Sequence, residues 1–141
     1  MLAAALNAMD RAGLRVIASA PLLTTAPLGP SRRRYVNGAA LVETALDPDA
    51  VLERLKAIEA AFGRRPRGQR WVARVLDLDL VLWSGGCWAS PGLSVPHPEF
   101  RHRGFVLGPA VAIAPYWRDP LTGLAVAHLA ARLTRSRPLP R

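Results

Sequence analysis

The chain is poor in the features that mark secreted and membrane proteins. Cys87 is the only cysteine among 141 residues, so no disulfide can form within the chain, and a cytoplasmic setting fits. No run of about 18 apolar residues is free of charge or proline, so we expect no transmembrane helix. The opening residues lack a basic n-region, and Asp10 and Arg11 interrupt the apolar run, which argues against a signal peptide.

Lysine and acidic residues are also scarce. Lys56 is the only lysine among 19 basic residues, which face 10 acidic ones, and the formal charge is +9. Arginine binds phosphate oxygens in a bidentate geometry, so the excess suggests an anionic ligand, although a compositional bias explains the same numbers. The chain has neither a Walker-type nor a kinase-type glycine loop, so a phosphate site must be built in another way.

The order of the predicted elements indicates an α+β fold. The length fits one domain over residues 1–141. The patterns predict strands over 14–24, 35–46 and 74–83 and an irregular loop over 84–100. Helices are predicted over 2–12 and 123–133. Two further helices are predicted to begin after Asp47 and at Arg103. Directly paired strands with helices on one face are typical of α+β proteins. The order matches the ferredoxin-like βαββαβ unit if one strand is missing before residue 2.

The helix after Asp47 is the best-marked element. Asp47 suits the N-cap, Pro48 suits the first helical position and Gly63 suits the position past the end. Lys56 and Glu59 lie off its apolar stripe. The stripe consists of Val51, Leu52, Leu55, Ile58 and Phe62.

Two aspartates interrupt the apolar segment "RVLDLDLVLW". In a strand, the side chains of Asp77 and Asp79 point to the same face, and their Cα atoms lie about 6–7 Å apart. Two Mg²⁺ ions about 3.5–4 Å apart, bound to such carboxylates, can clamp a transferring phosphoryl group. The alternative is a strand face exposed to solvent. Val81 and Trp83 are predicted to share the face of the aspartates, and these apolar side chains make a fully solvated face a poorer explanation.

Arginines surround the two aspartates in the sequence. Arg101 and Arg103 follow the loop that contains His97. Carboxylates for metal and arginines for phosphate indicate polyphosphate chemistry, in which positioning and charge stabilisation dominate. The arginines that precede the aspartates are Arg64, Arg65, Arg67, Arg70 and Arg74.

These motifs together resemble the 6-hydroxymethyl-7,8-dihydropterin pyrophosphokinase family. Its signature is R-W-G-P-R-x-x-D-hydrophobic-D, then V-P-H and R-x-F, and the chain has "RWVARVLDLDLVLW" followed by "LSVPHPEFRHRGFVLGPAVAIAP". "TAPLGP" and "YVNGAALVETAL" resemble the family's pterin-side loop and strand, so the resemblance covers residues 3–116. It implies a ferredoxin-like sandwich and a folate-pathway transferase. That enzyme would move pyrophosphate from ATP to the pterin's hydroxymethyl group, giving the pterin diphosphate and AMP.

The resemblance also implies a role for each matching residue. Asp77 and Asp79 would hold two Mg²⁺ ions, and Arg64 and Arg74 would stabilise charge on the transferring group. The residues implied on the ATP side are Glu59, Arg70, Trp71, His97 and Arg103. The residues implied in the pterin pocket are Thr25, Leu28, Tyr35, Asn37 and Phe105.

Several of these residues have simpler alternatives. Tyr35 and Phe105 suit stacking on a flat pterin but could be core aromatics. The Asn37 amide suits recognition of the pterin's edge but could serve a turn or bulge, and His97 between two prolines could be a loop residue. The arginines that are more often solvated than functional are Arg70 and Arg101.

The chain departs from the family pattern in several places. Val72 and Ala73 replace the Gly-Pro of the signature, Lys56 stands where glutamine is usual, and Pro66 replaces a basic residue. The family's opening strand, which ends in Gly-Ser-Asn, has no counterpart before residue 2. An upstream start, a gap closed by the neighbouring strands and an impaired protein all remain open.

An ATP-dependent pterin pyrophosphokinase is the leading hypothesis. A non-catalytic relative is one alternative. A nucleic-acid-binding ferredoxin-like module is another, but no strand carries the aromatic pattern of RNA-binding sheets. The expected partners are ATP and hydroxymethyl-dihydropterin, with Mg²⁺ as the cofactor. We expect no membrane partner and favour a monomer.

Overall fold

Helices and short strands alternate along the part of the chain that the structure describes. The computed structural model describes residues 2–20, 23–25, 35–63 and 76–134. The helices are α1 (Leu2–Arg11), α2 (Pro48–Phe62), α3 (Gly104–Ile113) and α4 (Val126–Thr134), with a 3-10 helix over Phe100–His102. The strands are β1 (Arg15–Ser19), β2 (Leu23–Thr25), β3 (Tyr35–Asn37), β4 (Ala40–Glu43), β5 (Trp88–Ser90) and β6 (Leu93–Val95). Within these residues no helix is both long and apolar enough to cross a membrane.

The strands form small sheets, and together with the helices they confirm the predicted α+β class. β1 pairs with β4, β2 with β3, and β5 with β6. The β2–β3 pair is antiparallel, with Thr25 opposite Tyr35 and Leu23 opposite Asn37. The β5–β6 pair is also antiparallel. Sheets of directly paired strands beside helices are the pattern that the sequence predicts.

Two of the predicted strands are each divided into two short strands. The strand predicted over 14–24 becomes β1 and β2, and the one over 35–46 becomes β3 and β4, which Gly38 and Ala39 separate. The Ala20 N–H donates to the Ala39 carbonyl at 2.8 Å, so the backbone at this break is bonded outside the strands. Glycine favours such an interruption because it has no side chain to pack.

A hairpin replaces part of the irregular loop predicted over 84–100. Ser90 lies opposite Leu93, so Pro91 and Gly92 form the turn between β5 and β6. Gly92 has a φ of 91°. Proline followed by a glycine with positive φ is what a type II turn requires. The loop prediction is wrong here because Pro91 and Gly92 form the turn of a hairpin and do not mark an irregular loop.

The strand predicted over 74–83 is not found in its described part. No described strand pairs with residues 76–83, and residues 74 and 75 lie outside the described ranges. The backbone is held instead by isolated hydrogen bonds. One of them runs from the His97 N–H to the Val81 carbonyl at 2.9 Å.

Contacts within the chain divide it into two compact units. One comprises Met1–Val16 and Val42–His97, and the other comprises Ile17–Leu41 and Pro98–Arg141. Each unit has buried apolar residues of its own. The single domain predicted over residues 1–141 stays a prediction.

The core of the first unit joins α1 to α2. Ala5 and Met9 of α1 lie in one buried cluster with Val51, Leu55 and Ile58 of α2. Burial of a large aliphatic side chain contributes about 1.5–3 kcal/mol relative to leaving it exposed. Of the apolar stripe predicted for α2, all residues except Leu52 therefore belong to this core or pack against it.

Local hydrogen bonds fix both ends of α2, as predicted. The Asp47 carboxylate accepts from the Ala50 N–H at 2.8 Å, and Pro48 occupies the first turn. At the other end, the Gly63 N–H donates to the Glu59 carbonyl at 2.8 Å. These contacts satisfy backbone groups that a helix leaves without partners at its ends.

Asp49 ties the first turn of α2 to the hairpin. Its carboxylate accepts from the Trp88 indole N–H at 3.1 Å and from the Ser90 hydroxyl at 2.5 Å. Both donors lie on β5. The strand that leads into the β5–β6 turn is therefore held against the helix by side chains.

A buried ion pair organises the second unit beside Phe100, Leu107 and Val126 of its core. Asp119 is fully buried, and its carboxylate accepts from the Nε and Nη2 atoms of Arg101. Such a fork satisfies both carboxylate oxygens at once. Arg101 also lies over the Phe100 ring, with 4.8 Å between the guanidinium carbon and the ring centroid.

The surroundings of Asp119 favour its charged form. The hydrogen bond from Arg101 is the largest influence, and the Thr122 hydroxyl and the Leu121 N–H add to it. Desolvation acts in the opposite direction. The net result lowers the pKa of Asp119 from its ordinary value of 3.8 to about 2.

We predict that Asp119 makes stability depend on acid pH. A pKa lowered by folding stabilises the fold above pH about 4, and this contribution is lost as the pH falls towards 2. The stability advantage of the wild type over Asp119→Asn should therefore shrink by about 1 kcal/mol between pH 6 and pH 3. Urea unfolding at both pH values measures it. The exposed Glu53→Gln serves as the control, and an advantage that is equal at both pH values would contradict the prediction.

Candidate functional site

Asp77 and Asp79 lie on the exposed side of their segment. Over residues 76–80 exposure alternates: both aspartates are exposed, whereas Leu76, Leu78 and Leu80 pack into the core of the first unit. The carboxylates therefore avoid the desolvation that a fully buried strand would impose.

The alternation does not continue to the end of the segment. Trp83 packs against the core cluster with Leu78 and Leu80. The expectation that Trp83 shares the face of the aspartates is therefore wrong. Strict alternation of side chains between two faces requires the extended backbone of a paired strand. The described part of this segment is not paired, so the backbone can rotate and direct Trp83 towards the core.

Glu59 connects α2 to the segment that carries the aspartates. Its Oε2 accepts from the Leu78 N–H at 2.6 Å, and its Oε1 lies 3.1 Å from the Lys56 Nζ. Leu78 lies between the two aspartates in the chain. The bond therefore reaches the backbone at the centre of the pair.

An open pocket of about 430 Å³ lies beside this contact. It brings together Glu59 and Asp77, two of the residues predicted from the sequence. It also includes Lys56, which is not among the site residues predicted from the sequence. The spacing of three residues between Lys56 and Glu59 is the signal that could have found it, because such residues are neighbours on a helix surface. The remaining lining residues are Ala60 and Leu76.

His97 follows the hairpin and contacts the same segment. Its backbone N–H donates to the Val81 carbonyl, and its side chain is half-buried. Both residues belong to the first unit. The loop after β6 is thus attached two residues beyond Asp79.

Carboxylates are the metal-ligating groups that this site offers. Across the described ranges, no group of three or more His, Cys, Asp or Glu side chains is arranged to hold a metal ion. Mg²⁺ commonly binds proteins through one or two carboxylates and completes its shell with water and substrate phosphates. Two exposed aspartates beside an open pocket therefore fit such an ion better than a metal enclosed by protein ligands.

The second unit brings together three elements that carry predicted pterin-side residues. β2 contains Thr25, β3 contains Tyr35 and Asn37, and α3, which contains Phe105, contacts both strands. Asn37 is half-buried at the end of β3, immediately before Gly38. Its position at a strand break agrees with the turn or bulge alternative, and its role in the pterin pocket stays a prediction.

Arg103 and Phe105 lie side by side at the start of α3. The Arg103 guanidinium carbon is 5.7 Å from the Phe105 ring centroid, within the range of a cation–π contact. Phe105 is 42% exposed, so the core-aromatic alternative for this residue is wrong. Its ring is accessible for stacking.

Arg101, in contrast, is engaged by Asp119, so it is neither a solvated arginine nor free for phosphate.

The side chains of the remaining predicted site residues lie outside the described part of the structure. Thr25 and Tyr35 are described only through their backbone. The predicted residues that lie outside the described ranges are Leu28, Arg64, Arg70, Trp71 and Arg74.

Comparison with known proteins agrees with the motifs. A model of the 7,8-dihydro-6-hydroxymethylpterin-pyrophosphokinase (HPPK) family matches residues 1–115. The chain is 36% identical over 118 residues to a 2-amino-4-hydroxy-6-hydroxymethyldihydropteridine pyrophosphokinase from Synechocystis sp., a match that covers 84% of this chain and 60% of that protein. A protein of the same name from Pseudomonas aeruginosa is 43% identical over 119 residues, with 83% of this chain and 73% of that protein covered.

A longer relative carries the same region as one part. The folate synthesis bifunctional protein of Chlamydia trachomatis is 30% identical over 123 residues, covering 82% of this chain and 27% of that protein. The chain thus spans 60% of the Synechocystis protein and a smaller share of the bifunctional one. The resemblance predicted from the sequence motifs is confirmed, and the chain belongs to the HPPK family.

Proposed function

We propose that this chain transfers a pyrophosphoryl group from ATP to the hydroxymethyl oxygen of 6-hydroxymethyl-7,8-dihydropterin in folate biosynthesis. Membership of the HPPK family supports the proposal, as do the pyrophosphokinase names of its relatives. The observation that carries it is the exposed pair Asp77 and Asp79, with Asp77 and Glu59 lining one open pocket.

Asp77 and Asp79 are proposed to hold two Mg²⁺ ions together with the ATP phosphates. The donor set fits, because both carboxylates are exposed and share one side of the segment. When bound, the ions would supply charge stabilisation for the transferring group and hold its oxygens in place. Catalysis of phosphoryl transfer rests mainly on such positioning and electrostatics.

The reaction exchanges one bond to the β-phosphorus of ATP for another. The hydroxymethyl oxygen of the pterin forms a bond to that phosphorus and releases its proton to the solvent. The bond between the β-phosphorus and the α,β-bridging oxygen breaks, so AMP leaves with that oxygen. We propose that Arg64 and Arg74 stabilise the charge that develops on the transferring group.

The remaining predicted residues would bind the two substrates. On the ATP side, Arg70, Trp71, His97 and Arg103 would contact the phosphates or the nucleoside, and Glu59 would line the same side. On the pterin side, the exposed Phe105 ring would stack on the bicyclic ring of the pterin. The Asn37 amide would form hydrogen bonds with the donors and acceptors at the edge of that ring. The other residues proposed for the pterin pocket are Thr25, Leu28 and Tyr35.

The finer architecture and setting are proposals as well. Family membership and the order of helices and strands support a ferredoxin-like sandwich. The single cysteine, Cys87, is exposed and free, which suits a reducing compartment such as the cytoplasm.

We predict that each aspartate is required for Mg²⁺-dependent turnover. Asp77→Ala and Asp79→Ala should each lower kcat by at least about 100-fold, because the charge that holds the metal is lost. Asn in either position should also be harmful, since it keeps the shape and removes the charge. Pterin diphosphate formation at several Mg²⁺ concentrations measures this, with the exposed Glu53→Ala as the matched control.

Near-normal turnover in either alanine variant would contradict the metal assignment. A wild-type chain that binds ATP with Mg²⁺ but forms no product would instead support the non-catalytic alternative. Binding and product formation are therefore measured on the same preparation.

We predict that Phe105 contributes to pterin affinity and not to ATP affinity. Phe105→Ala should weaken pterin binding by about 10-fold, because a stacking partner is lost. Titration calorimetry with the pterin and, separately, with a non-hydrolysable ATP analogue measures both affinities. Tyr116 is 87% exposed, so Tyr116→Ala is the matched aromatic control. A loss confined to the ATP analogue would contradict the assignment.

A further inference from the structure

The hydrogen bond from Leu78 to Glu59 acts on the backbone between the two aspartates. The bond joins the Leu78 N–H to the Glu59 Oε2 at 2.6 Å, and hydrogen bonds to a charged acceptor are stronger than those to a neutral one. The donor belongs to the peptide that links Asp77 to Leu78. Any movement of this peptide changes the distance and angle between the two carboxylates.

The described part of the segment lies outside any sheet. No described strand pairs with residues 76–83, so a regular ladder does not hold the aspartates in register. The inward packing of Leu76 and Leu78 fixes which side faces the core. Side-chain packing alone leaves the peptide free to tilt, whereas a directional hydrogen bond limits that freedom.

Glu59 is itself held at a defined position. It lies in the last turn of α2, and its carbonyl accepts from the Gly63 N–H that closes the helix. Lys56 contacts the second carboxylate oxygen at 3.1 Å. A capped helix and a second contact on the same carboxylate provide a firm base for the bond to Leu78.

The neighbouring lysine also reduces the cost of placing a third carboxylate here. Glu59 and Asp77 line the same pocket, and like charges at close range repel each other. Lys56 is 61% exposed, so its contribution is screened by water, but its charge is opposite to that of Glu59.

We propose that Glu59 is a positioning residue, which holds the Leu78 peptide so that Asp77 and Asp79 present a fixed geometry to the metal ions. This inference rests on the proposed function. It differs from the nucleotide contact that the family resemblance implies for Glu59. Each oxygen of its carboxylate accepts a hydrogen bond within the protein, Oε2 from the Leu78 N–H and Oε1 from the Lys56 Nζ.

The test compares metal binding in two Glu59 variants. Mn²⁺ binding is measured by electron paramagnetic resonance in the presence of α,β-methylene-ATP, which cannot be cleaved at the reacting bond. Glu59→Ala removes the acceptor and should weaken Mn²⁺ binding by about 10-fold. Glu59→Gln keeps an oxygen acceptor for the Leu78 N–H and should stay within about 3-fold of the wild type.

Control variants separate the possible causes. Lys56→Met removes the ion pair but leaves the bond to Leu78, so its loss of Mn²⁺ affinity should be clearly smaller than that of Glu59→Ala. Glu53→Ala changes an exposed glutamate on the same helix and should have no effect. Steady-state kinetics should show that Glu59→Ala lowers kcat at saturating ATP and raises the Mg²⁺ concentration that half-maximal activity requires.

Two results would overturn the inference. In the first, Glu59→Ala keeps its Mn²⁺ affinity and loses affinity for the nucleotide, as a direct nucleotide contact requires. In the second, Glu59→Gln loses as much Mn²⁺ affinity as Asp77→Ala, so that charge and not the hydrogen bond matters. This variant also decides the question if Glu59→Ala fails to fold. If Asp77→Ala leaves Mn²⁺ binding unchanged, the proposed metal site itself fails, an outcome distinct from both.

Discussion

The packing of three alternate leucines against the helical core is the constraint on which the candidate site depends. Leu76 is only 6% exposed, and Leu78 and Leu80 pack on the same cluster, so the intervening aspartates must face outwards. A shift of one residue would bury both carboxylates and expose the leucines. The hydrophobic effect on the leucines therefore sets the orientation of the two charged side chains between them.

Helix α2 extends this constraint to the neighbouring elements. Val51, Leu55 and Ile58 supply part of the cluster on which the leucines rest. The polar side chains of the same helix then fix what packing leaves adjustable: Asp49 holds the hairpin and Glu59 holds the Leu78 peptide. One well-capped helix thus provides both an apolar surface for the segment and directional hydrogen bonds to two regions of the first unit.

The second unit relies on a different kind of interaction. Asp119 and Arg101 form a buried pair whose remaining acceptor capacity is used by Thr122 and Leu121. A buried pair contributes little net stability when compared with apolar residues of the same shape, but loss of one partner leaves an uncompensated charge. Its local effect is to fix the 3-10 helix that leads directly into Arg103 and Phe105. Of the two arginines that follow His97 in the sequence, Arg101 is held by a buried carboxylate and Arg103 lies beside an exposed ring, a difference that their equal charge does not reveal.

The sequence by itself determined the features that depend on local interactions. Asp47, Pro48 and Gly63 marked both ends of α2 because capping involves residues only three or four positions apart. The spacing of Asp77 and Asp79 placed them on one side, and the surrounding motifs identified the family. The tertiary structure decided the rest, including the division of strands at Gly38, the hairpin turn and the packing of Trp83 on the core. It also selected partners for Glu59, Asp49 and Asp119 that lie 19, 39 and 18 residues away in the chain. Such partners leave no periodic trace in the sequence, because a directional hydrogen bond depends on where the packed backbone places donor and acceptor and not on their spacing along the chain.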